Sequence, residues 1–205
     1  LSAAFYAALA GHDVTVFERQ PKPGGMMRYG IPEYRLPKAT LDAEISTITA
    51  LGVRIVCGKS LGTHLRLQDL QRDFDAVYLA IGSWTPTPMG LEGENSDGVW
   101  TGIRYLEHVT KGDAPDPGKV VVVVGGGNTA IDCARTALRS GAERVVLLYR
   151  RTRDEMPAEP HEVADAEAEG VELRFLAAPT AIRRTADGLT LRCLEMTLGE
   201  PDRSG

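Results

Sequence analysis

Apolar and polar residues follow two periods along the chain, and the changes of period mark its elements. Leu1, Phe5, Ala8 and Leu9 fall at helical spacing, and Gly11 suits a helix end. Val14-Thr15-Val16-Phe17 then gives a strand that ends on Glu18. Residues 20–40 carry Pro21, Pro23, Gly24, Gly25, Gly30, Pro32 and Pro37 and read as one long loop, a length that in compact domains usually serves function. A helix is predicted over 38–51, with Leu41, Ile45, Ile48 and Leu51 on one face and Gly52 as its stop. Val53–Val56 and the apolar run Asp75–Ile81 (DAVYLAI), halted by Gly82, are predicted strands, and 84–98 is a surface connection.

Lys111–Gly118 (KGDAPDPG) is the predicted domain boundary, and a second pattern starts after it. The unbroken valines of Lys119–Val124 predict a buried parallel strand. Asn128–Ser140 is a helix with Ala130, Ile131, Ala134, Ala137 and Leu138 inward, ended by Gly141. Arg144–Tyr149 is a strand, 161–169 an acidic helix closed by Gly170, and Val171–Phe175 a further strand. Residues 180–198 read as a β-ribbon around Asp187-Gly188.

Composition narrows the classes. The 205 residues are 43% hydrophobic and 25% charged, ordinary for a globular protein. A net charge of −5 gives no general attraction to nucleic acid or to an anionic membrane. No apolar run approaches the roughly 20 residues of a bilayer span. The opening LSAAFYAALAGHDVTV lacks a basic start and is broken by Gly11-His12-Asp13, which argues against a signal peptide. Cys57, Cys133 and Cys193 are too scattered for a disulfide framework and fit a reducing, cytoplasmic setting. Without a CxxC, neither thioredoxin-like chemistry nor a cysteine-rich cluster site has its ligands here. His12, His64, His108 and His161 show no metal spacing, so no metal site is expected.

The chemistry begins at Gly125-Gly126-Gly127-Asn128-Thr129-Ala130, a GxGxxA turn between a strand and a helix. Gly125 permits the tight turn, Gly127 lets backbone approach a pyrophosphate, and Ala130 allows close helix–strand packing. The phosphates then meet free N–H groups and the positive end of a helix dipole. The next strand ends Tyr149-Arg150-Arg151, with Arg153 close by. An acid at that place would accept from a ribose 2′-OH, whereas guanidinium groups suit a 2′-phosphate. The turn is therefore expected to hold NADPH. Glu18 is the mirror case, an acid that fits an unphosphorylated ribose, as in FAD or NAD; the loop after it and Ala80-Ile81-Gly82 favour FAD.

The expected fold class is α/β with two Rossmann-like, FAD/NAD(P)-binding domains. These cover 1–117 (FAD) and 118–205 (NADPH, with a central parallel sheet and a β-ribbon). The first is expected to be incomplete. A helix running into a strand that ends on an acid is the second half of a dinucleotide-binding βαβ unit. The chain opens where the preceding glycine turn would close, and the polar LGEPDRSG reads as a second cut. A lost strand would bare a sheet edge, which leaves a homodimer or strand exchange open.

The run Glu18–Lys38, containing GGMMRYGIPEYRLPK, resembles the flavin segment of the glutamate synthase small (β) subunit family, related to the flavin region of dihydropyrimidine dehydrogenase. Gly125–Asp132, Tyr149–Arg151 and Met156-Pro157-Ala158 resemble its NADPH segment. The resemblance covers nearly the whole chain. It implies an NADPH-dependent flavoprotein oxidoreductase in which hydride passes from NADPH to FAD. Electrons would leave through iron–sulfur clusters to a partner such as the glutamate synthase large subunit. By position it implies that Glu18 holds the adenosine ribose. Gly24, Gly25 and Met26 line the flavin, and Arg35, Leu61 and Gly82 also belong to its site. Gly125, Gly126, Gly127, Asn128, Thr129, Arg150 and Arg151 hold NADPH. No catalytic side chain is expected, because the cofactors carry the chemistry. The family's first glycine turn, C-terminal return to the FAD domain and N-terminal cluster cysteines have no counterpart here. The competing reading is a non-catalytic nucleotide-binding module of a larger redox complex. Other features read as structural: the seven acids of Asp154–Glu169 as a solvated face, Cys133 as core, Asp132 as a loop-orienting group, and Trp84 and Trp100 as packing residues.

Overall fold

The computed structural model describes residues 1–186 and 188–199. Contacts divide the chain into two compact units, Leu1–Trp84 and Thr85–Gly205. The predicted boundary at 111–118 falls inside the second unit. A helix that the periodicity reading passed over, α5 (Gly102–Lys111), packs there on the helix after the GxGxxA turn: Cys133 Sγ donates to the Gly102 carbonyl at 3.5 Å.

In the first unit, α1 (Ser2–Leu9) leads into β1 (Thr15–Glu18), which pairs in parallel with β2 (Arg54–Cys57). Between them lie α2 (Gly25–Tyr29) and α3 (Lys38–Thr49), the latter burying Leu41 and Ile45. The proline- and glycine-rich loop is thus partly helical. Two cations fix it. Arg28 is buried, pairs with Asp42 and donates through Nε to the Pro23 carbonyl. Lys38 Nζ donates to the carbonyls of Ile31 (2.6 Å), Leu36 (3.0 Å) and Met27 (3.3 Å). Burial pushes the Lys38 ammonium below its ordinary value.

A polar helix that went unpredicted, α4 (Leu67–Asp73), follows β2. The predicted strand at 75–81 is a correction: this segment has no regular structure, and Tyr78, Leu79 and Ile81 are exposed. Apolar composition makes a strand only when a neighbour takes its N–H and C=O groups. Among the described residues β1 and β2 pair only with each other.

In the second unit, β3 (Val120–Val124), α6 (Asn128–Arg139), β4 (Arg144–Leu148), α7 (Pro160–Ala168) and β5 (Glu172–Arg174) form a three-stranded parallel sheet in the order β3-β4-β5. Its core joins Ile131, Ala134 and Ala137 of α6 to Val145 and Leu147 of β4 and to Val163 and Ala166 of α7. An antiparallel ribbon follows, β6 (Ala177–Thr185) with β7 (Gly188–Glu195). Asp187, placed by the sequence at its turn, lies outside the described residues, as do Glu200 to Gly205.

The valine run also needs correcting. β3 is an edge strand, and Val120 and Val122 are 59% and 44% exposed. They face an open groove that Leu191 and Cys193 of the ribbon also line, instead of a second layer of helices.

The acidic helix is more than a solvated face. Buried Arg135 on α6 donates to Glu162 Oε2 at 2.6 Å and to Glu169 Oε1 at 2.7 Å, with Asp165 at 3.4 Å. Arg139 donates to the same Glu169 oxygen. The Arg135 hydrogen bond holds the Glu169 carboxyl below the usual range. A group so depressed stabilises the fold above its unfolded value and loses that contribution as pH falls through its folded value. We therefore predict that urea unfolding midpoints drop as pH falls below about 4.3, the ordinary glutamate value, and that Glu169→Gln flattens this dependence.

Candidate functional site

The GxGxxA turn joins the end of β3 to the start of α6. Gly125 sits at φ +142°, where L side chains are strained, and a Cβ there would stand 3.2 Å from the Ala130 Cβ. Gly127 is open: a Cβ would meet only Pro157 Cγ at 3.9 Å. No side chain caps α6. The amides of Gly126, Gly127, Asn128 and Thr129 have no partner among the described residues. Free donors at a helix start, with open space above Gly127, fit a pyrophosphate.

Gly126 has a role that sequence reasoning missed. A Cβ there would lie 2.5, 2.6 and 2.9 Å from the Cε2, Cδ2 and Cζ of Tyr149. That ring is tethered, its hydroxyl donating to the Glu155 carbonyl at 2.8 Å. Gly126→Ala is expected to destabilise the chain by about 1–3 kcal/mol through overpacking, and Gly127→Ala to leave stability unchanged while weakening NADPH binding. Thermal melts and NADPH titrations on the two variants separate these effects, and equal melting losses would contradict the contrast.

At the end of β4, Arg150 and Arg151 are exposed, and neither pairs with a carboxylate among the described residues. Arg153 is engaged elsewhere: it pairs with Glu167, and its guanidinium carbon lies 5.6 Å from the Phe175 ring centre. A 3-10 turn, Arg153–Glu155, follows Thr152. Thr152 N and Oγ1 both donate to Glu155 Oε2, at 2.7 and 2.6 Å. The segment then returns to the glycine turn. Ala158 N donates to the Gly126 carbonyl at 3.0 Å, and Glu159 N to Asn128 Oδ1 at 2.9 Å. Thus Gly125–Asn128 and the approach to Arg150 and Arg151 come together. Thr129 turns its methyl towards α5, where a Cβ on Gly102 would lie 3.3 Å from Thr129 Cγ2. Asp132 is buried on α6.

The flavin candidates all lie in the first unit. Glu18 ends β1, and its Oε1 accepts from Gln20 N at 2.8 Å. Gly24 and Gly25 have φ of +128° and +55° and start α2. A Cβ on Gly24 would strike Leu41 Cδ2 at 2.9 Å, whereas Gly25 opens on free space. Met26 packs its sulfur against Gly30. Arg35 is half-buried in the turn after α2, and exposed Leu61 lies on a turn bridged to Leu65. Gly82 is exposed at φ +69°, beside Trp84. Trp84 in turn lies under Arg19 and near Tyr29. A strand-end carboxylate and glycine backbone open to space fit the ribose and ring of a flavin nucleotide.

The three cysteines are free, and none is tuned as a nucleophile. Burial pushes the Cys133 thiol up to about 12. Burial, and then the charge of Glu18, raise Cys57, and burial raises Cys193. Among the described residues no cluster of His, Cys, Asp and Glu has the makings of a metal site. No helix among them is long and apolar enough to cross a membrane.

The chain is similar to known proteins. The chain is 48% identical to the NADP(+)-dependent formate dehydrogenase subunit beta of Moorella thermoacetica, over 100% of this chain and 30% of that protein. It is 36% identical to the glutamate synthase [NADPH] small chain of Escherichia coli, over 95% of this chain and 44% of that protein. It thus spans less than half the length of these relatives, and the expected likeness to the glutamate synthase small subunit is borne out. The fold matches Mycobacterium tuberculosis FprA in complex with NADPH at a TM-score of 0.73, with 17% identity, over 94% of this chain and 63% of that one. A model described as pyridine nucleotide-disulphide oxidoreductase matches residues 1–203; the chain belongs to that family, and NADPH and FAD are the cofactors its membership indicates.

Proposed function

We propose that this chain is the cofactor-binding part of an NADPH-dependent flavoprotein oxidoreductase of the glutamate synthase small-subunit type. Residues 1–117 would serve FAD and 118–205 NADPH. The observation that carries the reading is the joining of a GxGxxA turn without a side-chain cap to a strand end bearing two exposed arginines that pair with no carboxylate among the described residues. When bound, NADPH supplies hydride and FAD accepts the electron pair and passes electrons on singly.

The chain's own residues bind and orient. Gly126, Gly127, Asn128 and Thr129 present backbone N–H groups to the pyrophosphate. Arg150 and Arg151 hold the 2′-phosphate, and Glu18 accepts from the adenosine ribose of FAD. Gly24, Gly25 and Met26 line the flavin, with Arg35, Leu61 and Gly82 completing its site. The relatives named for formate dehydrogenase and for glutamate synthase share this one segment, which suits a common electron-entry unit serving different acceptors. Its partner would be a glutamate synthase large subunit or another iron–sulfur redox protein. Three free cysteines support a cytoplasmic setting.

The test is flavin chemistry. Purified chain supplied with FAD should hold a flavin spectrum that NADPH bleaches under anaerobic conditions. A colourless chain that still binds NADPH would support the competing reading, a nucleotide-binding module without catalysis.

A further inference from the structure

The segment between Arg151 and α7 carries contacts that neither the NADPH turn nor the arginines account for by themselves. Tyr149, next to the arginines, lays its ring against Gly126 and donates to the Glu155 carbonyl. The Glu155 carboxylate takes both the amide and the hydroxyl of Thr152, closing the turn that leaves Arg151. Three residues on, Ala158 and Glu159 hydrogen-bond to Gly126 and Asn128. One strap of eight residues, 152–159, therefore ties the strand end to the glycine turn at both of its ends.

We propose that this strap fixes the spacing between the pyrophosphate turn and the 2′-phosphate arginines, with Glu155 and Thr152 as positioning residues for NADPH selectivity. The inference rests on the reading of Arg150 and Arg151 given above. Its physical basis is preorganisation. Ligand affinity falls when long side chains and the loop beneath them must be ordered at the moment of binding. NADH has no 2′-phosphate to set against the arginines, so the spacing that the strap fixes matters to the preference for NADPH.

At Glu155 the two possible roles have opposite signs. Its carboxylate lies close enough to Arg151 for that charge to help hold it ionised, after the Thr152 hydrogen bonds. As a mere charge, Glu155 opposes a 2′-phosphate, and removing it would tighten NADPH binding. As a positioning residue, it works through its oxygens, and losing them weakens NADPH binding.

The experiment is equilibrium titration of the whole chain with NADPH and with NADH, for wild type, Glu155→Ala, Glu155→Gln and Thr152→Ala, with thermal melts alongside. Glu155→Ala should bind NADPH about fivefold more weakly, the scale of leaving one long side chain unordered, with NADH affinity unchanged. Thr152→Ala should follow it. Glu155→Gln keeps an accepting oxygen without the charge and should restore NADPH affinity to wild type or better. The proposal is overturned if Glu155→Ala binds NADPH as tightly as wild type or more so. It is also overturned if both cofactors weaken equally along with the melting temperature, the mark of a merely structural role. Equal affinities of the wild type for the two cofactors would instead overturn the arginine reading itself, and this inference with it.

Discussion

Alanine at both Arg150 and Arg151 is expected to weaken NADPH binding about 10- to 30-fold and to leave NADH binding unchanged. A hydrogen bond to a charged group contributes about 1.5–3 kcal/mol, and about 1.4 kcal/mol is a factor of ten. Both arginines are exposed, so salt and water screen them and the low end of that range applies. The same change at Arg153 should alter selectivity little, because Arg153 is held by Glu167 and lies over Phe175. Fluorescence or calorimetric titration of the two variants checks the ranking. A larger NADPH loss from Arg153→Ala than from the double variant would misplace the receptor.

The largest effect on stability is expected at Arg135. Its side chain and that of Glu162 are 7% and 10% exposed. Arg135→Ala would leave Glu162 charged, buried and without its guanidinium. Breaking a buried pair from one side costs about 3–5 kcal/mol, a large share of the roughly 5–15 kcal/mol that holds a domain together. Arg135→Leu combined with Glu162→Leu removes both charges and should cost much less, since well-packed apolar pairs often replace buried ion pairs without loss. Urea unfolding of the two variants decides the matter, and equal losses would mean that the pair is not what joins α6 to α7.

How much of this was legible in the sequence depended on whether the cause was local. The valine strand, the alanine-faced helix and the glycine turn between them carry their signals within a few residues. So do α3, with Leu41 and Ile45 on its buried face, and Gly125, whose backbone angle only glycine takes easily. The apolar run 75–81 misled because a strand needs a partner, and pairing is not a property of the run. The valines of β3 misled in the same way: strand order, not composition, put Val120 and Val122 at an open edge.

Long-range partners explain the remaining differences. Arg135 and Glu162 stand 27 residues apart. Asn128 and Glu159 stand 31 apart. The need for glycine at 126 comes from the Tyr149 ring, a partner that the glycine motif itself does not reveal. The candidate NADPH residues were readable because motif and strand end sit close together in the chain. The strap that joins them was not.

The turn at 125–130 and the arginines at 150 and 151 are proposed to form one receptor for NADPH. Calorimetric titration of the unmodified chain with NADPH and with NADH, at low and at high salt, tests it most directly. NADPH is expected to bind at least about tenfold tighter at low salt, with the margin narrowing as salt screens the 2′-phosphate. Equal affinities at low salt, or tighter binding of NADH, would contradict it.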